Sequence, residues 1–176
     1  MHKTTHDSET SANGQQVITA CAFIFKVVDN EPLLFLPKRA STKKFLPNKY
    51  ELPGGHINFG ETLDEGLKRE IQEEFGMDIE IGKCFYAFTY LNNIKGSHSV
   101  EIIYYARFAS PESSLQLNPE DHSEYKWVSL DQYKELVQDD ADNEYRAIME
   151  GFAILKNSKG FLKNNVFRSG GVSIDG

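Results

Sequence analysis

The chain has 176 residues, 40% of them hydrophobic and 26% charged, with a formal net charge of −7. That length fits one domain with room for an interior core, and no apolar run approaches the roughly 20 residues that a membrane-spanning helix needs. The acidic balance argues against a protein that coats nucleic acid, which would carry a basic face. It leaves a nucleotide open as substrate, because a bound cation can stand between acidic side chains and phosphates.

The expected elements run as follows. Residues 1–16 are polar, lack the apolar stretch of a secretory leader and read as a mobile tail. Residues 17–28 are rich in β-branched and aromatic types, and Asp29 and Asn30 supply a turn before residues 32–36, so the two segments form a hairpin. A basic loop over residues 39–48 carries Arg39, Lys43 and Lys44 and leads into a short strand at Tyr50, Glu51 and Leu52. That strand delivers Gly54 and Gly55. A helix follows over residues 62–75, free of proline, with Leu63, Leu67 and Ile71 on one stripe. Thr62 offers a capping hydroxyl, Asp64 and Glu65 suit the positive helix end, and Gly76 suits its left-handed termination. Residues 79–91 and 100–108 read as strands joined by a polar turn at 92–96, and residues 124–128 as another strand. Ser129 caps a short helix running to residue 137, and residues 143–155 form a longer one with Ile148, Phe152 and Leu155 on one face. Residues 157–176 read as a loose tail. Cys21 and Cys84 sit in apolar, strand-like runs and are expected as buried free thiols of a cytoplasmic protein.

The charged residues of the first helix are unusual in their placement. Glu70, Glu73 and Glu74 stand at i, i+3 and i+4, along one edge of the apolar stripe. Like charges so placed destabilise a helix by about 0.2–0.5 kcal/mol per pair. A hard divalent cation would offset that repulsion with carboxylate oxygens as ligands. Three acids on a helix more often form a solvated face. Arg69, four residues before Glu73, can hold that carboxylate through a charge-assisted hydrogen bond, and the paired glycines allow a backbone path that brings carbonyls close to an ion.

Residues 55–77 read GHINFGETLDEGLKREIQEEFGM: Gly55, five residues, Glu61, seven residues, Arg69, Glu70 and Ile71, one residue, Glu73 and Glu74, one residue, Gly76 and Met77. A chance match to seven fixed types at this spacing is on the order of 10⁻⁶ over the chain. The segment resembles the Nudix box at every position, so the chain resembles the Nudix hydrolase superfamily over about residues 17–156. The resemblance implies an α/β fold (α+β by some schemes), an α/β/α sandwich around a mixed β-sheet. It also implies a hydrolase that uses Mg²⁺, with Mn²⁺ as a substitute, to cleave the pyrophosphate bond of a nucleoside diphosphate linked to a group X. The products are a nucleoside monophosphate and phosphorylated X. By the same resemblance the Gly55 carbonyl, Glu70, Glu73 and Glu74 hold metal, Glu70 or Glu74 takes the proton of the attacking water, and Arg69 orients the glutamates.

Outside the box the pattern is thinner. Family members often place another metal-binding acid just before the strand that carries Trp127; Glu124 is the first choice and Glu120 the alternative. Trp127 reads as core, and His56 and His98 as ordinary hydrogen-bonding residues. Arg39 and Lys43 could meet terminal phosphates, and Tyr50, Phe45 or Tyr90 could stack on a base. The substrate expected first is a nucleoside triphosphate, oxidised ones included, and second a nucleotide-sugar. A nucleotide sensor without activity is disfavoured because every box carboxylate is kept, and removal of an RNA cap because no basic track is present. The pattern leaves room for a homodimer and gives no sign of a nucleic-acid or membrane partner.

Overall fold

The computed structural model describes residues 11–137, 141–157 and 166–167. In chain order the elements are β1 (Gln16–Val28), β2 (Glu31–Arg39), β3 (Gly54–His56), α1 (Leu63–Phe75), β4 (Ile79–Asn92), β5 (Ser97–Phe108), β6 (His122–Val128), α2 (Leu130–Leu136) and α3 (Asn143–Asn157). The strands form one mixed sheet in the order β4-β5-β1-β2-β6, with β3 attached to β1.

Strand β1 organises the molecule because alternate residues of a strand point to opposite faces. Cys21, Phe23 and Phe25 point to one face and pack with Leu34, Leu36, Ile103, Tyr105, Tyr133 and Phe152 beneath α2 and α3. Ala20, Ala22 and Ile24 point to the other face and pack with Phe35, Leu67, Ile71 and Phe75 of β2 and α1. Two alanines on that face let α1 lie close to the sheet. Burial of each large side chain there contributes about 1.5–3 kcal/mol, so the Leu67, Ile71 and Phe75 stripe holds α1 in place. Its ends are set by a capping box between Thr62 and Glu65 and by Gly76, whose φ is +63°.

The site owes its position to how β1 shares its edges. One edge pairs in parallel with β5 over residues 16–24. The other pairs antiparallel with β3 at residues 19–21 and then with β2 at residues 25–28. The sheet splits between β3 and β2, and the segment linking those strands crosses the split.

The hairpin, the helices and the two long strands form as expected. The strand expected at Tyr50, Glu51 and Leu52 reduces to a single bridge, Lys38 to Tyr50. Its donors go elsewhere: the Glu51 amide to Pro37 O at 3.1 Å and the Leu52 amide to a carboxylate oxygen of Glu144 at 2.5 Å. Pro53 has no amide to offer a ladder, and the glycines themselves make the short strand. Cys21 is buried, but Cys84 is exposed, contrary to expectation; the β4–β5 register shifts on either side of it, which turns the side chain outward. Part of each expected tail is held: the Ala12 and Gly14 amides bond to Lys95 O and Gly96 O at 2.9 Å, and Phe167 stacks on Phe25 at 5.9 Å. Residues 1–10, 158–165 and 168–176 of those tails lie outside the described residues. Among the described residues no helix is long and apolar enough to cross a membrane.

Candidate active site

The glycines of β3 are dictated by close approach. Gly54 has φ of +141°, and a Cβ there would lie 2.2 Å from Ala20 O; no L side chain fits. A Cβ on Gly55 would lie 2.6 Å from the Glu70 carboxylate. The missing side chain is the space that carboxylate occupies, so β3 and α1 meet with backbone against acid.

Arg69 ties that junction together. Its Nε donates to Glu61 Oε1 at 2.7 Å, one Nη to Glu70 at 2.8 Å and Glu73 at 3.3 Å, and the other to His56 O at 2.7 Å and Glu61 Oε2 at 3.0 Å. The sequence spacing singled out Glu73 as its partner; Glu61 and Glu70 are the closer ones. The Arg69 guanidinium, helped by the Asn58 amide, pushes the Glu61 carboxyl down to about 2.

Glu70 and Glu74 are in the opposite condition. Burial raises the Glu70 carboxyl above its usual range against the pull of Arg69. Burial, followed by the charges of Glu70, Glu51 and Asp121, raises Glu74 further. The Gly54 amide supports the Glu74 carboxylate, while Glu74 Oε2 is buried with no hydrogen-bond partner. Hard oxygen donors with one orphaned carboxylate oxygen fit a divalent cation such as Mg²⁺. Among the described residues no three His, Cys, Asp or Glu side chains converge as a ready-made metal shell; Glu70 and Glu73 pair with Arg69 at 2.8 and 3.3 Å.

These groups line one end of a cleft of about 1070 Å³ that also contains Lys43, Lys49, Glu101, Glu120, Asp121 and Glu144. Its described lining has nine acidic side chains against four basic ones. The basic ones are already engaged: Arg39 with Glu51 at 2.9 Å and with Phe45 O, Lys43 with Asp121 at 2.6 Å, Lys49 with Asp142 at 2.5 Å and Glu144 at 2.9 Å. Ion pairs thus clamp the basic loop to the acid-bearing segments on both of its sides.

Of the residues singled out from sequence, Gly55, Arg69, Glu70, Glu73, Glu74, Glu120 and Arg39 come together in the cleft. Tyr50 and Glu124 do not. The Tyr50 hydroxyl donates to Glu124, Lys38 lies 3.5 Å from Glu124, and the Lys38 and Lys126 ammonium groups sit over the Tyr50 ring at 5.4 and 5.0 Å. The cause is a register shift of β2 against β6 between Lys38 and Arg39. It takes Glu124 out of phase with His122, so His122 is buried while Glu124 stands outside. His56 is buried with Nε2 3.3 Å from Lys95 Nζ, and Trp127 packs against Phe35. Sequence reading noted Lys49 only as a basic residue near the box and passed over Glu51, Glu101 and Glu144; these four lie in three different segments and gave no motif to find.

A family model described as NUDIX domain matches residues 17–151. An RNA pyrophosphohydrolase from Erythrobacter litoralis is 25% identical over 151 residues, covering 77% of this chain and 90% of the relative. An isopentenyl-diphosphate Delta-isomerase 2 from Photorhabdus laumondii is 30% identical over 130 residues, covering 69% and 68%. The crystal structure of a MutT protein from Methanosarcina mazei Go1 superimposes with a TM-score of 0.64 at 24% identity, over 83% of this chain and 99% of that one.

Proposed function

The chain belongs to the NUDIX domain family as a pyrophosphohydrolase, and from that premise we propose that its substrate is a nucleoside triphosphate, oxidised ones included, cleaved to a nucleoside monophosphate and pyrophosphate. The observation that carries this reading is the acid excess of the cleft, with Glu74 Oε2 buried and unpartnered. A polyanionic phosphate chain cannot enter such a cleft unless cations accompany it, and NUDIX hydrolases in general use divalent metals. A divalent ion bound there supplies charge neutralisation at the anhydride and acidifies water.

The residues of the chain have separate tasks in this reading. Glu70, Glu73, Glu74 and the Gly55 carbonyl would hold the cation, and Glu120, Asp121 and Glu51 are acids outside the box that line the same cleft. A water oxygen forms a bond to phosphorus as the bridging P–O bond breaks. The water proton passes to Glu70 or Glu74, and the departing group (pyrophosphate for attack at the α phosphorus, nucleoside monophosphate for attack at the β phosphorus) takes up the negative charge. The raised affinity of both carboxylates for a proton suits either to that role. Arg69 keeps the two ends of the box in register. The cleft volume lies just above the roughly 300–1,000 Å³ usual for small-molecule sites, and that favours a nucleotide-sugar as the second class to try.

A colorimetric phosphate-release screen of nucleotides, nucleotide-sugars and dinucleoside polyphosphates with Mg²⁺, with added phosphatase where needed, tests the reading. Turnover of a nucleoside triphosphate that EDTA abolishes and Mg²⁺ or Mn²⁺ restores is the expected result. Full activity in chelator with no metal detected sinks the mechanism. An isomerase would leave its substrate's phosphates attached, so rearranged isopentenyl diphosphate without any phosphate release would overturn the hydrolase reading.

A further inference from the structure

The end of the cleft away from α1 contains a carboxyl group that anhydride cleavage does not use. Glu101 of β5 stands opposite Thr19 of β1 and Phe88 of β4, on the same sheet face as the core residues Ile103 and Tyr105. It occupies a core position yet lines the cleft, and it is 9% exposed. A buried carboxyl group is costly unless something hydrogen-bonds to it. The Cys21 thiol, which favours the ionised form of the carboxyl, is a weak donor and leaves acceptor capacity on it.

The surroundings define what could occupy the space beside it. Phe88 and Tyr90 of β4 line the cleft with ring centroids 6.2 Å apart, and Phe45 of the basic loop stacks over Tyr90 at 6.2 Å with planes 18° apart. Flat aromatic surfaces favour a planar ring over a puckered sugar. Glu144 and Glu51 reinforce negative potential around Glu101, and Lys49 opposes it. Burial pushes the Glu101 carboxyl up to about 8, but it keeps an acceptor oxygen in either protonation state. An acceptor in a negative, aromatic-walled space selects a planar group that donates N–H.

We propose that Glu101 is a specificity-determining residue that accepts a hydrogen bond from an exocyclic amino group of the substrate's nucleobase. The inference rests on the nucleotide reading above and assigns the base to the Glu101 end of the cleft, with the phosphates at the α1 end. A site built around such an acceptor rejects the analogue that lacks the donor, because the buried carboxyl is then left unpaired.

The test compares kcat/KM for two pairs of triphosphates, CTP with UTP and GTP with ITP, whose members differ at an amino position. The wild-type protein should prefer the amino-bearing member of one pair by about tenfold or more. Glu101→Leu should collapse that ratio toward one, with kcat on the preferred substrate held within about threefold, since the residue does not touch the reacting atoms. Glu101→Gln, whose amide oxygen still accepts, should keep the preference and guards against a folding defect in the leucine variant; melting curves of both monitor the fold. Wild-type hydrolysis with a ratio that Glu101→Leu leaves unchanged, or equal losses on both members of a pair, overturns the inference alone. A wild-type protein that hydrolyses no nucleotide overturns the underlying reading and the inference with it.

Discussion

The two ends of the cleft are built by different routes. At the α1 end the chemistry lies within residues 54–76, where one helix periodicity, one capping box and two glycines bring a guanidinium and four carboxyl groups together. At the other end Glu101, Glu144, Lys49 and Tyr90 come from β5, α3, the basic loop and β4. The first end is fixed by local geometry and is where we place the reaction. The second depends on tertiary packing and is where we place the choice of substrate. Substitutions at the α1 end should therefore change kcat, and those at the other end should change discrimination or stability.

The largest effect that could break this division is expected at Glu74. Replacing it with Gln should lower kcat by at least about two orders of magnitude, the usual size for loss of a metal-binding or proton-transferring group. The fold should survive, because the substitution removes a buried charge and lessens repulsion with Glu70. A Glu74→Gln protein with near-normal kcat would separate the box from the chemistry. Arg69→Ala should come next. Each of its charge-assisted contacts is worth about 1.5–3 kcal/mol, so a drop in kcat of about tenfold or more is expected, alongside a lower Tm as Glu61 and Glu70 lose their partner. An unchanged Tm together with an unchanged kcat would show that the guanidinium holds nothing in place.

A smaller effect tests the boundary between the two ends. Arg39 lies in the cleft, but its guanidinium donates to Glu51 and to Phe45 O and its side chain is 12% exposed. It therefore acts as a clamp on the basic loop. Arg39→Ala should lower stability by about 1.5–3 kcal/mol, read by denaturant titration, and raise KM for triphosphates and nucleotide-sugars alike. A loss confined to triphosphates would instead give Arg39 a direct contact with the terminal phosphates.

How much could be read from the sequence follows the same division. The spacing of Leu63, Leu67 and Ile71, the cap at Thr62 and the left-handed Gly76 are local signals, and α1 forms as they dictate, with Leu67, Ile71 and also Phe75 buried. The glutamates and Arg69 come with it. Glu124 was chosen by its place before the Trp127 strand, and a register shift of β6 against β2 that no short-range pattern announces leaves it outside the cleft. Tyr50 went with it, since its hydroxyl follows Glu124 to the outside. Cys84 was misplaced for the related reason that β4 bulges beside it. Glu101 is the clearest loss: inside an apolar strand run it looks like a solvent-facing position of an alternating strand, and only the assembled sheet turns it inward.

The smallest effect concerns stability and arises at the end of the cleft away from α1. Glu101 ionises near 4.5 in an unfolded chain and is pushed up to about 8 by burial, with Glu144 and Glu51 adding and the Cys21 hydrogen bond and Lys49 opposing; Tyr90 faces it from β4 and is itself raised. A carboxyl group raised on folding contributes stability that is fully present below its unfolded value and is lost as pH climbs through its folded one. Between about pH 5 and pH 8 the unfolded chain has released this proton while the folded chain holds it, so the Tm of the wild-type protein should fall across that window. Glu101→Gln cannot titrate. Its Tm relative to wild type should therefore rise with pH, by about 5 °C across the window after allowance for the opposing charges. Parallel Tm curves for the two proteins would mean that Glu101 is ionised in the folded state, compensated by Lys49, and the negative potential assigned to this end of the cleft would then be weaker than the arrangement of acids around it implies.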